Sequence, residues 1–224
     1  MRIIRGTPVV LFFLLVIIGL LFSSLLIYFV HLAWSPWTVS EVLAIGLWSL
    51  LSLVFVLLSY RLFFCLFPLP QGEILEGTWE ESLTMIYQLF SIMLWRPIFQ
   101  TRLIPVPMSR LVYIALGSKV GAGTYFPGTI GDPPLFSVGR NCIIGEDSLV
   151  ISHAIEGARL AFYPVRLGDH VTIGAKSIVM AGVEIEDGAI VAAGSIVTKM
   201  TKIHRDEIWA GVPAKKIGLN QKKA

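Results

Sequence analysis

The sequence is short of charge. Only 15% of its 224 residues are Asp, Glu, Lys or Arg, and 18 basic residues against 15 acidic ones leave a formal charge of +3. No basic stripe is present, so composition gives no sign of a nucleic-acid partner. Cysteine is scarce as well: Cys65 and Cys142 are the two in the chain, which excludes a disulfide-stapled small domain. A bond between them is not expected in a reducing cytoplasm. What the chain has in excess is apolar residues, at 55%. That excludes disorder and exceeds the usual share for a soluble domain of this length.

The excess is concentrated at the front. Residues 7–40 contain no Asp, Glu, Lys or Arg, and 9–30 is almost continuous Leu, Ile, Val and Phe. About 20 such residues cross the hydrocarbon core of a bilayer. A second uncharged run covers 42–60, and 62–69 extends it beyond Arg61. The pattern predicts two transmembrane helices within residues 1–70, joined by a short turn that holds Trp34, Pro36 and Trp37, with Tyr28 and His31 just before it. Aromatic rings suit the membrane–water interface. A cleaved signal peptide is the competing reading. Against it, the first run exceeds the roughly 7–15 residues of such a peptide's apolar core, and a second run follows. Arg2 and Arg5 precede the first span and the turn has no Lys or Arg. That asymmetry puts the N-terminus in the cytoplasm and returns the chain there. The expectation is a multi-pass protein of the cytoplasmic membrane whose remaining chain faces the cytoplasm. Arg61 reads as an interfacial anchor whose head snorkels to the lipid surface, with contact to a lipid substrate as the alternative.

Residues 71–109 read as a linker. Thr78-Trp79-Glu80-Glu81 is a capping box and opens a helix to about Trp95. Its apolar stripe is Leu83, Ile86, Leu89, Phe90, Met93 and Leu94. Such a stripe packs on a neighbour or lies in the membrane interface. Pro97, Pro105 and Pro107 are expected to break any helix that follows.

The back half repeats. Aliphatic residues recur every six positions at Val138, Ile144 and Val150, and again at Leu167, Ile173, Val179, Ile185, Val191 and Val197. Four positions after each stands a small or β-branched residue, from Cys142 and Ser148 to Ser195 and Thr201. A weaker pair of hexads starts at Leu116 and Ala122. A period of six is neither the 3.6 of a helix nor the 2 of a simple strand. It predicts a stacked parallel β-solenoid over 110–224, one short strand per hexad. The phase breaks once, between Val150 and Leu167, so the eleven extra residues at about 156–166 must leave a corner as a loop.

These residues resemble the hexapeptide-repeat acyltransferases, and the resemblance implies the left-handed parallel β-helix as the fold of residues 110–220. His153 stands immediately before the inserted loop, within Ser152-His153-Ala154-Ile155-Glu156-Gly157 and ahead of Pro164-Val165-Arg166-Leu167-Gly168-Asp169. This is similar to the sugar and antibiotic O-acetyltransferases of the family, and it implies that His153 is the general base. The chemistry is sensible on its own terms. An attacking hydroxyl or amine must lose a proton, and imidazole titrates near neutral pH. Glu156 or Asp147 is the candidate carboxylate to assist it. Asp169 and His170 read as turn residues.

The resemblance further implies acetyl-coenzyme A as donor substrate, lying in a groove between subunits of a homotrimer. Ala175 and Ala193 match the positions that let the pantetheine arm approach the backbone. Thr198, Lys199, Lys215 and Lys216 suit the donor's phosphates. Ile203-His204-Arg205-Asp206 departs from the prolines usual in the family and puts the last turn in doubt. The γ-class carbonic anhydrases share the fold but need three histidines at the subunit interface. His153, His170 and His204 lack their close pair, so no metal is expected. A closer echo, through the His-Ala, Gly, Leu and Pro-Val residues of this stretch, is the hexapeptide domain of non-ribosomal peptide synthetase-like proteins. The expected reaction is acyl transfer, acetyl first, to a hydroxyl or amino group of a membrane-associated or glycan acceptor. The other reading left open is a non-catalytic trimeric scaffold for a membrane partner.

Overall fold

The computed structural model describes residues 6–33, 41–101 and 104–220. Arg2, Arg5 and the expected turn residues Trp34, Pro36 and Trp37 lie outside the described residues. The front of the chain forms two long helices, α1 (Gly6–Ala33) and α2 (Glu41–Leu66). Both are long and apolar enough to cross a bilayer. Only 17% and 11% of their most apolar stretches are buried by the rest of the protein, so neither is covered as a soluble core helix would be.

The two helices pack antiparallel through small residues. A Cβ on Gly19 would stand 2.7 Å from the Val56 backbone nitrogen, so only glycine permits the approach. One turn on, the Ser23 and Ser52 hydroxyls share a buried hydrogen bond of 2.9 Å. On the other side of Gly19, the Ser59 hydroxyl donates to the Leu15 carbonyl at 3.0 Å. Small residues one turn apart with hydroxyls across the seam are how helices associate where no hydrophobic force separates protein from solvent.

The linker is more structured than its prolines suggest. A short strand, Gly72–Ile74, precedes α3 (Trp79–Phe90). The Thr78 hydroxyl caps α3 by accepting the Glu81 amide at 3.2 Å, and the Glu81 carboxylate accepts the Gly77 amide at 2.8 Å. One π-helical turn, Ser91–Trp95, then leads without a break into α4 (Arg96–Gln100). Pro97 therefore does not end the helix. It lacks the N–H that would bond four residues back, and the widened turn ahead of it takes up the mismatch. Pro105 caps α5 (Val106–Leu116), and Pro107 sits in its first turn, where the missing donor costs nothing. Here proline opens a helix instead of breaking one. Leu116 ends α5, so the anchor expected there is helical while the rest of its hexad leads into the strand Lys119–Val120, and α5 crosses the boundary drawn at residues 109–110.

The solenoid is a stack of short parallel strands on three faces. One face runs through Val120, Val138, Leu167, Ile185 and Ile203. The second runs through Ile144, Ile173, Val191 and Trp209, and the third through Ile130, Val150, Val179 and Val197. Every one of the nine anchors read from the sequence is buried. At the corners the third residue after an anchor is left-handed, with φ of 55° at Asn141 and Asp147, 59° at His170 and 56° at Lys176. Asn, Asp and Gly tolerate that conformation, which explains their recurrence at this phase. The next residue is small because it turns inward under the corner: Ser148 and Ser177 are buried and donate to the Gly145 and Gly174 carbonyls at 2.7 and 2.6 Å.

The last strands form an antiparallel pair, Glu207–Gly211 and Ala214–Leu219. Lys216 at 2.8 Å and the Trp209 indole at 2.9 Å hold the Glu207 carboxyl down to about 2. Because each anchor is locked between the coils above and below, truncation leaves a cavity the stack cannot collapse. Ile173→Ala is expected to cost about 2–5 kcal/mol and Ile173→Val about 1 kcal/mol, read as lowered melting temperatures in detergent.

Candidate active site

The chain leaves the stack as a β-hairpin that begins at His153, three residues ahead of the insertion expected at 156–166. Its strands, His153–Glu156 and Arg159–Phe162, pair antiparallel with His153 opposite Phe162. The linker strand Gly72–Ile74 adds to its other edge, with Ile74 opposite Leu160. The arm that leaves the solenoid is thus tied to the chain that arrives from α2. Leu160 and Phe162 are buried in one apolar cluster with Ile74, Ile86, Tyr87, Phe90 and the two long helices. The stripe on α3 is packing surface: Leu83, Ile86 and Phe90 are buried, while Met93 remains exposed.

His153 begins the hairpin, and its side chain is 27% exposed. Its Nδ1 lies 2.7 Å from Oδ2 of Asp132, a residue only 2% exposed. The same oxygen accepts the Ser152 amide at 2.8 Å. An oxygen that accepts one N–H at that distance is also the acceptor toward His153. The ring proton is therefore assigned to Nδ1, and Nε2 carries the free lone pair. Oδ1 of Asp132 accepts the Tyr87 hydroxyl at 3.2 Å, and that hydroxyl is also 3.3 Å from the Gly131 carbonyl. The Phe162 ring, 5.9 Å from the imidazole, covers one side.

The electrostatics follow from these contacts. The bond to Asp132 raises the His153 pKa above its ordinary value, against burial and the positive charge of Arg96. Burial, and next the Asp132 charge, push the Tyr87 hydroxyl well above its ordinary range, so it stays protonated and donates. An imidazole held in this tautomer can take a proton at Nε2, and the carboxylate behind it stabilises the imidazolium that results.

The carboxylate expected beside His153 is not the one the structure puts there. Glu156 is three residues along the same strand and so belongs to the opposite face of the pleat. Both of its oxygens lie 2.6 Å from Lys199 Nζ, across the hairpin on the solenoid. Asp147 sits exposed at a left-handed corner, and Asp169 pairs with Arg140 at 3.0 Å. His170 is exposed at the adjoining corner. Asp132 was missed because it lies in the coil before the regular repeat. Ile130 pairs with Val150, which sets Asp132 level with Ser152.

Ala175 and Ala193 come together. Both are exposed at one corner, one coil apart, with the Gly194 amide donating to the Ala175 carbonyl at 2.8 Å. Thr198 and Lys199 lie at the next corner, where Thr198 is 3.2 Å from the Thr201 hydroxyl. Lys215 and Lys216 are exposed on the terminal strand, Lys216 being held by Glu207. The expected cations thus fall into two groups and not one, and Lys199 and Lys216 already have carboxylate partners. Among the described residues no group of three or more His, Cys, Asp or Glu is arranged to hold a metal ion.

Residues 164–199 match the family model described as the hexapeptide repeat of succinyl-transferase. The chain is 39% identical over 88 residues to a Bacillus subtilis protein named "Putative acetyltransferase YvoF", covering 38% of this chain and 51% of that one. It is 29% identical over 168 residues to mitochondrial gamma carbonic anhydrase 2 of Arabidopsis thaliana, covering 64% and 58%. To galactoside O-acetyltransferase of Escherichia coli it is 31% identical over 117 residues, covering 47% and 57%. The chain therefore spans about half the length of the curated relatives it matches.

The pairing of His153 with Asp132 sets a pH signature. A raised imidazole pKa means the pair's contribution to stability is full below pH 6.5 and is lost as pH rises through the His153 value. Any activity needing the neutral ring rises over that same interval. Asp132→Asn is expected to move this limb of the rate–pH profile to lower pH and to cut turnover by about a hundredfold or more, as the tautomer is no longer held. An unmoved limb would separate Asp132 from His153. The β-solenoid runs from Val120 to the terminal strands, and over residues 164–199 it carries the matched hexapeptide repeat, in which it resembles the left-handed β-helix acyltransferases.

Proposed function

We propose that this protein is a membrane-anchored, coenzyme A-dependent acyltransferase, acetyl being the group transferred, acting on a hydroxyl or amino group of a membrane-associated or glycan acceptor. The observation that carries the reading is the His153 imidazole held through Nδ1 at 2.7 Å by a buried carboxylate, with Nε2 left to act. In the reaction Nε2 takes the proton from the acceptor as its oxygen or nitrogen attacks the thioester carbonyl. The tetrahedral intermediate then collapses, the carbon–sulfur bond breaks, and the imidazolium returns the proton to the departing thiolate. Every proton is accounted for by one histidine.

Acetyl-coenzyme A as donor is supported by two relatives named as acetyltransferases and by the repeat matched over 164–199. The exposed Ala175–Ala193 corner leaves the backbone open to an extended arm. Lys215 is the cation best able to meet a phosphate, and Thr198, Lys199 and Lys216 would join it only by exchanging their present partners. Glu156, through Lys199, ties the hairpin to the solenoid and so holds His153 in position. A homotrimer with sites between neighbouring solenoids belongs to the same reading.

Anchoring rests on α1 and α2, whose apolar side chains face away from the protein over most of their length. Their antiparallel packing brings both ends of the pair to one side, which for a positive-inside N-terminus is the cytoplasm. An enzyme held at the bilayer meets a membrane-borne acceptor at raised effective concentration.

The test is acetyl-coenzyme A turnover by the detergent-purified chain beside His153→Ala. Wild-type release of coenzyme A, lowered by about a hundredfold or more in the variant with acetyl-coenzyme A binding retained, is the expected result. Binding of the donor by neither protein would overturn the reading and leave the solenoid as a scaffold.

A further inference from the structure

The two long helices exceed what a bilayer needs. At about 1.5 Å per residue, α1 and α2 each run about 40 Å, against a hydrocarbon core of about 30 Å. The linker packs on this spare length. Phe90 at the end of α3 meets Phe12, about 9 Å inside the start of α1, with ring centroids 4.9 Å apart. The Tyr60 hydroxyl, about 9 Å inside the end of α2, donates at 3.3 Å to the carbonyl of Leu116, the last residue of α5. For helices set across a bilayer, the π turn and the end of α5 are therefore at the depth where headgroups give way to acyl chains.

The side chains at that depth fall on two faces. α5 turns Ser109, Tyr113 and Leu116 inward. The Ser109 hydroxyl lies 3.1 Å from the Phe126 carbonyl, and the Tyr113 hydroxyl accepts the Ile130 amide at 3.2 Å, so α5 is bonded to the first coil of the solenoid. On the face turned away from that coil, Met108, Leu111 and Ile114 are exposed, at the three-residue spacing that aligns side chains along a helix. Ile92 and Met93 on the π turn are exposed too, as are Leu58 and Leu62 on α2, on either side of Tyr60. Single exposed apolar residues need no account, but a group of them at one level marks a surface that something covers.

Charge is sorted in the same way. Residues 82–131 contain no Asp or Glu and four Arg or Lys. Of the cations, Arg96 follows the π turn and Lys119 follows α5, and both are exposed. The acidic residues of the linker, Glu73, Glu76 and Glu80, stand at the opposite end of α3, where Trp79 meets Phe67 just beyond α2 at 6.0 Å. An apolar stripe flanked by cations, with carboxylates kept to the far end, is suited to an anionic lipid surface.

We propose that the face formed by the π turn and α5 is a further membrane contact besides the two spans, lying in the plane of an anionic lipid surface. Ile92, Met93, Met108, Leu111 and Ile114 enter the acyl chains, and Arg96 and Lys119 meet the phosphates. Because α5 is bonded to the first coil, this contact seats the solenoid: the coil that carries Asp132 is nearest the lipid, and the later coils stack away from it. The inference rests on the membrane reading above and is independent of the acyltransferase reading.

The test uses the full chain in vesicles of phosphatidylcholine with a minority of phosphatidylglycerol. The photocrosslinking residue p-benzoylphenylalanine is placed at one position at a time, and its adducts are read by mass spectrometry. Three exposed positions are compared: Leu50 within α2, Leu111 on α5, and Ile217 on the terminal strand at the far end of the stack. Lipid adducts are expected at positions 50 and 111 and not at 217. Arg96→Glu combined with Lys119→Glu is expected to lower the adduct at position 111 by about fivefold or more, the worth of a single cation at an anionic surface, and to leave position 50 unchanged. Lipid at position 50 with none at 111 overturns this inference and leaves the spans standing. No lipid at either position overturns the membrane reading itself. A crosslink from position 111 to a second copy of the chain assigns the face to a subunit contact and overturns the lipid surface. Equal lipid adducts at positions 111 and 217 overturn it as well, because contact would then not be particular to this face. An undiminished adduct at 111 in the charge-reversed chain overturns the role given to the cations.

Discussion

One buried carboxylate joins the three parts of this chain. Asp132 comes from the first coil of the solenoid, and its oxygens take the Ser152 amide and the His153 ring at the root of the hairpin and the Tyr87 hydroxyl on α3. A carboxylate that is 2% exposed is tolerable only when its lone pairs are occupied, and here three donors occupy them. The arrangement is mutually dependent. Without the hairpin root, two donors go; without α3, the third goes. The position of His153 is thus a property of the linker as much as of the repeat.

From that point an aromatic path leads outward. His153 meets Phe162, Phe162 meets Tyr87 at 6.3 Å, Tyr87 meets Phe64 at 6.0 Å, and Phe64 meets Tyr60 at 5.1 Å. Tyr60 reaches Phe90 at 5.2 Å, and Phe90 reaches Phe12 of α1 at 4.9 Å. Most of these pairs are edge-to-face, the geometry that ring quadrupoles favour. Arg61, beside this path, packs its guanidinium against Gly117 at the C-terminal end of α5, so that a Cβ there would collide with it. A cation at that end of a helix is favoured by the helix dipole. Arg61 thus lies at a joint between α2 and the helix that leads into the solenoid, a place neither of the readings drawn from sequence contained. The long helices thus pack, through α3 and the hairpin, against the same apolar cluster that borders His153.

The solenoid was legible in the sequence because one physical rule repeats. A coil that stacks on its copy must bury the same position each time, so Val138 through Val197 report themselves by period alone. The first coil obeys the same rule with different letters. Its anchors are Val120, Phe126 and Ile130, an aromatic standing for an aliphatic, with Pro127-Gly128 shortening one side and Pro133-Pro134 lengthening the next. A search for aliphatic residues at intervals of six passes over it. Glu156 lies away from His153 for a related reason. Three residues from His153 is near in a loop or helix but opposite in a strand, and the insertion turned out to be strand.

The irregular coil is irregular where it is used. Ile130 still pairs with Val150, so the stack is unbroken, but the lengthened side that follows carries Gly131, Asp132 and the two prolines out of the hexad pattern. At other corners the second residue after an anchor is exposed, as at Arg140, Ala175 and Ala193, but on the face beneath the hairpin Ser152 and Ala181 are buried at that position. Asp132 takes that same buried position on the hairpin's face. The Ser152 hydroxyl, 3.4 Å from the Leu135 carbonyl, and the Ser118 hydroxyl, 2.8 Å from the Pro133 carbonyl, hold the loop at either end. A carboxylate buried behind one histidine requires a covered corner, and the corner beneath the hairpin is covered. The departure from period and the polar site lie in the same coil, and local failure of a repeat is therefore a signal by which such a partner can be found.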